Sequence, residues 1–244
     1  MSDTTKNGFF SGLPEREKTK ITLPSGRTVT VLETTGREEK ILSRVQDRNK
    51  LMETIAAYLA GVTEDLDGDA GRVPPSKFED MLVGDRYAIL IHARLLTHGP
   101  IVNHKASCGD CKAQNEHEID LQEILDTTKP YPAGDTRNFS VKLGDGVLHY
   151  DLPTGKSEER ALKEKDSDIN SKLRCLHLWE ETSKGRVPVS LDSLKSRQIS
   201  TLRQEVRKNE CYIDTVAELT CPSCKKVSRL DIMAMADFLF PSLT

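Results

Sequence analysis

Two Cys-x-x-Cys pairs, Cys108/Cys111 and Cys221/Cys224, stand more than a hundred residues apart in one chain. A turn of this kind aims two sulfurs at one point. Two such turns fill the tetrahedral shell of a zinc ion, at Zn–S distances of about 2.3 Å. A shared metal forces any fold of this chain to bring two distant segments together. The predicted ligand set is therefore Cys108, Cys111, Cys221 and Cys224, around one structural zinc per chain. The separation is no energetic obstacle. Closing a loop costs only about 0.6 kcal/mol more for each doubling of its length, while structural zinc in small domains contributes ~10–16 kcal/mol of apparent binding free energy. The other readings are two local redox pairs, reduced free thiols, or two metals completed by histidines. His104 and His117 flank the first pair and would serve that last option, but read as exposed loop histidines. Cys175 and Cys211 lack ligand spacing. Cys175, on a helix with Leu173 and Leu176, reads as a buried thiol.

The short cysteine spacing is read as metal binding because the compartment is expected to be reducing. The opening MSDTTKNGFFSG has no apolar core of a secretory signal. The longest apolar stretch, around Tyr87 to Ile91, is too short to span a bilayer and runs into His92 and Arg94. A net charge of -3, from 35 basic and 38 acidic residues, argues against a dedicated duplex-binding protein. With aromatic residues at only 5%, the core must rest on Leu, Ile, Val and Ala.

The expected organisation is a flexible arm (1–20), a first half (21–126) carrying the knuckle 108–111, a linker (127–140), a second half (141–236) carrying the knuckle 221–224, and an apolar tail (237–244). Ile21 to Leu32 reads as a hairpin turning at Pro24, Ser25 and Gly26. A helix is predicted over 38–60 from the spacing of Ile41, Val45, Met52, Ile55 and Leu59. VTEDLDGDAGRVPPS reads as a loop, and Ser76 with Glu79 as a capping box. A buried central helix is predicted over 85–98, stopped by Gly99.

The second half repeats the first. LPSGRTVTVLETTGREEKIL from Leu23 and LGDGVLHYDLPTGKSEERAL from Leu143 both read Leu-x-x-Gly, strand, Thr-Gly, acidic pair, amphipathic helix. Ser107-Cys108-x-x-Cys111-Lys112 is echoed by Thr220-Cys221-x-x-Cys224-Lys225, and Ile119-Asp120-Leu121 by Leu230-Asp231-Ile232. Four matches in one order point to an internal duplication. The expected fold class is α+β, each half a β-hairpin, helices and a knuckle, the halves joined by the zinc.

No nucleophile elbow, P-loop, dinucleotide fingerprint or His-Glu-x-x-His is present in the sequence. His177, two residues from Cys175, falls on another helix face and makes no dyad with it. The acidic run from Glu64 to Asp69 lacks the spacing of a calcium loop. Lys225, Lys226 and Arg229 read as a solvated or protein-facing patch before they read as a phosphate contact. At the C-terminal end, Met233, Met235, Phe238, Leu239 and Phe240 gather apolar mass where chains are usually polar. Either this segment packs on the chain's own core, or Phe238, Leu239 and Phe240 dock a partner.

Taken together, ITLPSGRTVTVLETTGREEKIL, GDRYAILIHARLLTHG before Cys108-x-x-Cys111, and Cys221-Pro222-x-Cys224 before a closing Phe238-Leu239-Phe240-Pro241 resemble the T4-type baseplate hub assembly proteins of contractile-tailed phages. The resemblance spans about residues 20–241. It implies a non-enzymatic role in tail assembly, as a structural baseplate component or a chaperone-like factor. It implies tail hub or baseplate proteins as partners, and a location in the host cytoplasm during assembly and in the virion tail. The alternative is a zinc-ribbon accessory protein that binds nucleic acid. A metalloenzyme is the weakest reading, because four thiolates leave no open ligand position.

Overall fold

The computed structural model describes residues 15–43, 51–132, 137–163, 173, 176–234 and 238. The fold is mixed α+β. The first sheet has the order β1-β2-β3-β4 and is antiparallel throughout, with β1 Lys18–Thr22, β2 Thr28–Leu32, β3 Thr63–Leu66 and β4 Asp69–Ala70. The β1–β2 turn closes where expected. Gly26, at φ 87°, donates its N–H to the Leu23 carbonyl at 2.8 Å, a conformation that costs a residue with a Cβ. Val29 and Val31 then point into the core with no exposure. The hairpin begins earlier than the sequence implied. Lys18 pairs with Leu32, and Arg16 reaches the buried Glu38 carboxylate at 3.3 Å, so β1 and its contacts take in the end of the expected arm.

The helix predicted over 38–60 appears in two described pieces, α1 Gly36–Leu42 and α2 Leu51–Gly61. The loop predicted after it contains β3 and β4. Their acidic residues read as solvated, but the backbone of β3 pairs with the edge of β2 that β1 leaves open. The next helix, α3 Pro75–Glu79, starts on Pro75 and has no side-chain cap, so the expected Ser76–Glu79 box is not formed. The central helix α4 Val83–His98 is close to prediction, and Gly99 ends it at φ 79°. Ile89, Ile91 and Ala93 on α4 have no exposure.

Two strands absent from the expectation follow, β5 Ile101–Ser107 and β6 Gln114–Asp120, with the first knuckle at their tip. Asp120 then caps α5 Leu121–Asp126 by accepting from the Gln122 N–H at 2.8 Å.

The second sheet has the order β10-β9-β8-β7, with β7 Asn138–Leu143, β8 Gly146–Asp151, β9 His177–Thr182 and β10 Gly185–Pro188. Residues 138–140, placed in the linker by sequence, belong to β7. His177, expected on a helix, opens β9, and Cys175 lies outside the described residues. Between β8 and β9 lies α6 Gly155–Lys163. After β10 come a 3-10 turn at Leu191–Ser193 and α7 Ser196–Asn209. The second knuckle sits at the tip of β11 Val216–Thr220 and β12 Val227–Asp231. Asp231 caps the following turn, Ile232–Ala234, by accepting from the Met233 N–H at 3.0 Å.

One apolar core lies under the first sheet and α4, and a second lies under the second sheet and α7. The β11–β12 hairpin does not follow its own half. Ile213, Leu219 and Ile232 pack into the first core, beside Val102 and Ile119 of the β5–β6 hairpin. The halves also meet at two tight points. A Cβ on Gly84 would stand 2.7 Å from the Cys211 carbonyl oxygen, and one on Gly155 would stand 2.5 Å from Arg86 Nη1. Single β-bridges, Leu82 to Thr154 and Lys129 to Tyr212, stitch the same seam.

Candidate metal centre

Each knuckle is a tight turn at the tip of a two-stranded hairpin, and the two turns are built alike. In the first, the Cys108 N–H donates to the Ala113 carbonyl and the Lys112 N–H to the Cys108 carbonyl. In the second, the Cys221 N–H donates to Lys226 and the Lys225 N–H to Cys221. Lys112 and Lys225 take the same left-handed backbone, at φ 62° and 63°. Gly109 in one turn and Pro222 in the other therefore leave the geometry unchanged.

The structure brings the four sequence-predicted ligands together. The sulfurs of Cys108, Cys111, Cys221 and Cys224 all lie within 4.8 Å of one another. Across the knuckles, Cys108 and Cys224 are 3.6 Å apart and Cys111 and Cys221 are 3.7 Å apart. Four sulfurs bonded to one zinc stand about 3.8 Å from each other. A disulfide needs about 2.05 Å, and these cysteines are free. The donor set and its spacing fit one thiophilic ion.

The local field prepares part of the set. Backbone N–H groups of Cys111 and Asp110 lower the Cys108 thiol. Although Cys221 is only 4% exposed, the N–H groups of Cys224 and Ser223, with the Asn115 amide, bring its thiol down to about 6. Cys224 is lowered by the Lys226 N–H but raised more by its neighbouring thiols, to about 12.

Two supporting contacts were not anticipated. The Asn115 Nδ2 donates to Cys221 Sγ at 3.4 Å, across the two hairpins. The Lys226 ammonium lies 3.4 Å from the Asp110 carboxylate, joining the two turns outside the sulfurs. An acid inside one knuckle and a lysine after the other carried the signal for that pair. Of the remaining basic residues, Arg229 pairs with Glu218 at 3.0 Å, along its own hairpin.

His104 and His117 are strand residues, directly opposite each other on β5 and β6 and half-buried. The loop placement is corrected, and neither belongs to the sulfur cluster. Cys211, which lacked ligand spacing, is buried away from the cluster, its thiol pushed up to about 12 by desolvation. Phe238, expected either in the chain's own core or against a partner, is 2% exposed within the first core. Leu239 and Phe240 lie outside the described residues.

Among the described residues no helix is long and apolar enough to cross a membrane. Searches of curated proteins and of solved structures each find no match. A family model described as "T4 bacteriophage base plate protein" matches residues 16–240, taking in both knuckles, both sheets and the seam between the halves. The chain belongs to the T4 bacteriophage base plate protein family.

Proposed function

We propose that this chain is a non-enzymatic assembly protein of the phage tail baseplate hub, either a structural component or a chaperone-like factor, in which one zinc ion clasps two copies of a duplicated unit. The observation that carries the reading is the meeting of four sulfurs, two from each half, within the span that the family model matches. Bound there, zinc would be closed off by four thiolates and would act as a cross-link, with no ligand position for substrate.

Duplication is supported by the order of elements. Each half runs hairpin, helix, second strand pair, long helix, knuckle hairpin, short helical turn. It is supported in detail by the caps. Thr35 begins α1, its N–H donating to Glu38 at 3.0 Å. Thr154 begins α6, its N–H donating to Ser157 at 2.6 Å. Both accepting residues are buried. Asp120 and Asp231 do equivalent work after the knuckles.

The expected partners are tail hub or baseplate proteins, met in the host cytoplasm during assembly; a structural component would stay in the virion tail, whereas a chaperone-like factor would leave it. Elemental analysis of purified chain should find one zinc, and Cys108→Ser or Cys221→Ser should each lose it. Zinc retained after removal of either knuckle overturns the shared clasp. Co-expression with the baseplate proteins of the same phage should give a co-purifying complex, and its absence across that set overturns the assembly role.

A further inference from the structure

Along the seam between the halves runs a groove of about 470 Å³ that no part of the metal centre uses. Its floor is apolar: Leu82, Leu152, Leu176, Val206 and Ile213 are all buried there. At its mouth Tyr212 and Val216 are 40% and 38% exposed. Exposed apolar groups beside an apolar floor mark a surface that gains by being covered.

The polar lining is one-sided. Glu158, Glu210, Asp214 and Asp231 reach the groove, against Arg207 as the lining cation. Glu158 is balanced from behind by Arg86, whose Nη1 lies 2.5 Å from its carboxylate. Asp214 and Asp231 have no cation partner among the described residues. Asp214 accepts from the Val216 N–H at 3.2 Å, and Asp231 from the Thr215 hydroxyl at 2.8 Å. Those contacts fix the two carboxylates at the mouth without cancelling their charge. Lys129 stands outside the lining. Its ammonium is 5.7 Å from the centre of the Tyr212 ring and bonded to the carbonyls of Arg207 and Lys208.

We propose that this groove docks a partner protein through a short segment in which basic side chains alternate with aliphatic ones. The aliphatic groups cover the Leu82–Leu152–Ile213 floor, and the basic heads meet Asp214 and Asp231 at the mouth. A long basic side chain suits such a site because its stem is apolar and its charge lies at the tip. Complementary charge also steers encounter and rejects acidic segments. The inference rests on the reading that this chain works by binding other proteins, but it makes no use of the zinc.

The test uses the full-length, zinc-loaded chain and three fluorescein-labelled octapeptides, alternating Leu/Arg, Leu/Glu and Ser/Arg, followed by anisotropy. Leu/Arg should bind saturably, and the other two should bind at least about tenfold more weakly. Asp214→Asn with Asp231→Asn keeps the local hydrogen-bond acceptors and removes the charges. It should weaken Leu/Arg binding by about fivefold or more, with zinc content and circular dichroism unchanged. Asp145→Asn with Glu181→Gln makes the same charge change elsewhere on the second sheet and should leave binding as it was. Equal binding of Leu/Glu, an equal loss in the remote variant, an unaffected Asp214/Asp231 variant, or no saturable binding at all would each overturn the proposal. Failure of the zinc or co-purification tests would leave these outcomes readable, since each peptide result is a ratio between variants of one folded chain.

Discussion

Arg94 Nε donates to the Phe238 carbonyl at 3.0 Å, tying the C-terminal part of the central helix to a residue near the end of the chain. The guanidinium is 4% exposed, and its other donors reach the carbonyls of Gly99 at 3.2 Å and Ile101 at 3.5 Å. One fixed fork thus satisfies a helix end, a strand start and the C-terminal segment together. Arg94→Met keeps the apolar stem and orphans the three carbonyls. It should cost about 1–3 kcal/mol of stability and speed carboxypeptidase trimming. Truncation after Ala236 should lower the urea midpoint as well, because it removes the buried Phe238 ring. Unchanged trimming of Arg94→Met would show that this contact does not hold the segment.

The Asn115–Cys221 contact makes a separate prediction. An outer donor to a metal-binding thiolate tunes affinity without supplying a ligand, and its loss typically costs about 10–100-fold. Asn115→Ala should still carry one zinc per chain when metal is in excess. In competition with a chelator it should release the ion at lower chelator concentration than the parent. The check is a chelator titration read by released zinc, and identical curves would remove Asn115 from the site.

The four-cysteine cluster was legible because Cys-x-x-Cys is a local pattern whose chemistry needs no knowledge of the fold. The hairpins that present them were not. Gln114 to Asp120 carries charge or amide at most positions, and only Asn115 and Ile119 in it are buried. Its alternation is faint because the second knuckle hairpin covers only part of it. The strands β3 and β4 hid for a related reason: β3 is held by the backbone of β2 and β4 by that of β3, and only Thr63 and Leu66 at the two ends of β3 are buried. Arg86 is the extreme case. It sits in an apolar helix at 2% exposure, and its partner Glu158 is 72 residues away. Phe238 was assigned to both core and partner by its sequence, since apolarity alone does not say which surface a ring covers. The pattern that supports duplication was readable because it lies in caps and turns, and those depend on neighbours in sequence.

His92 on α4 gives a pH dependence with a defined sign. Burial lowers its pKa from 6.5, so the folded state disfavours the imidazolium. A depressed pKa contributes stability that is fully present above the unfolded value and is lost as pH falls through the folded one. The urea midpoint should therefore decline as the pH drops below 6.5, and His92→Gln should decline less steeply. Zinc loss in acid affects both proteins alike, so the difference between their slopes isolates the histidine. Parallel slopes would assign the acid sensitivity elsewhere.

Gly84 and Gly36 separate seam packing from helix propensity. Both stand in the first turn of a helix, α4 and α1, where replacing Gly by Ala ordinarily stabilises by up to about 1 kcal/mol. A Cβ on Gly36 meets nothing within 4 Å, so Gly36→Ala should be neutral or mildly stabilising. A Cβ on Gly84 stands 2.7 Å from the Cys211 oxygen and 3.3 Å from the Tyr212 Cα, both backbone atoms of the other half. Backbone held by the Lys129–Tyr212 bridge cannot turn aside as a side chain would. Gly84→Ala should thus cost about 1–3 kcal/mol through overpacking, which outweighs the propensity gain. The damage should fall on the seam, since the sulfur cluster lies on other elements. Chemical denaturation of the two alanine variants with zinc content measured beside it makes the comparison. Equal stability of the two, or loss of zinc from Gly84→Ala, would mean that the halves are not held by close contact at this point.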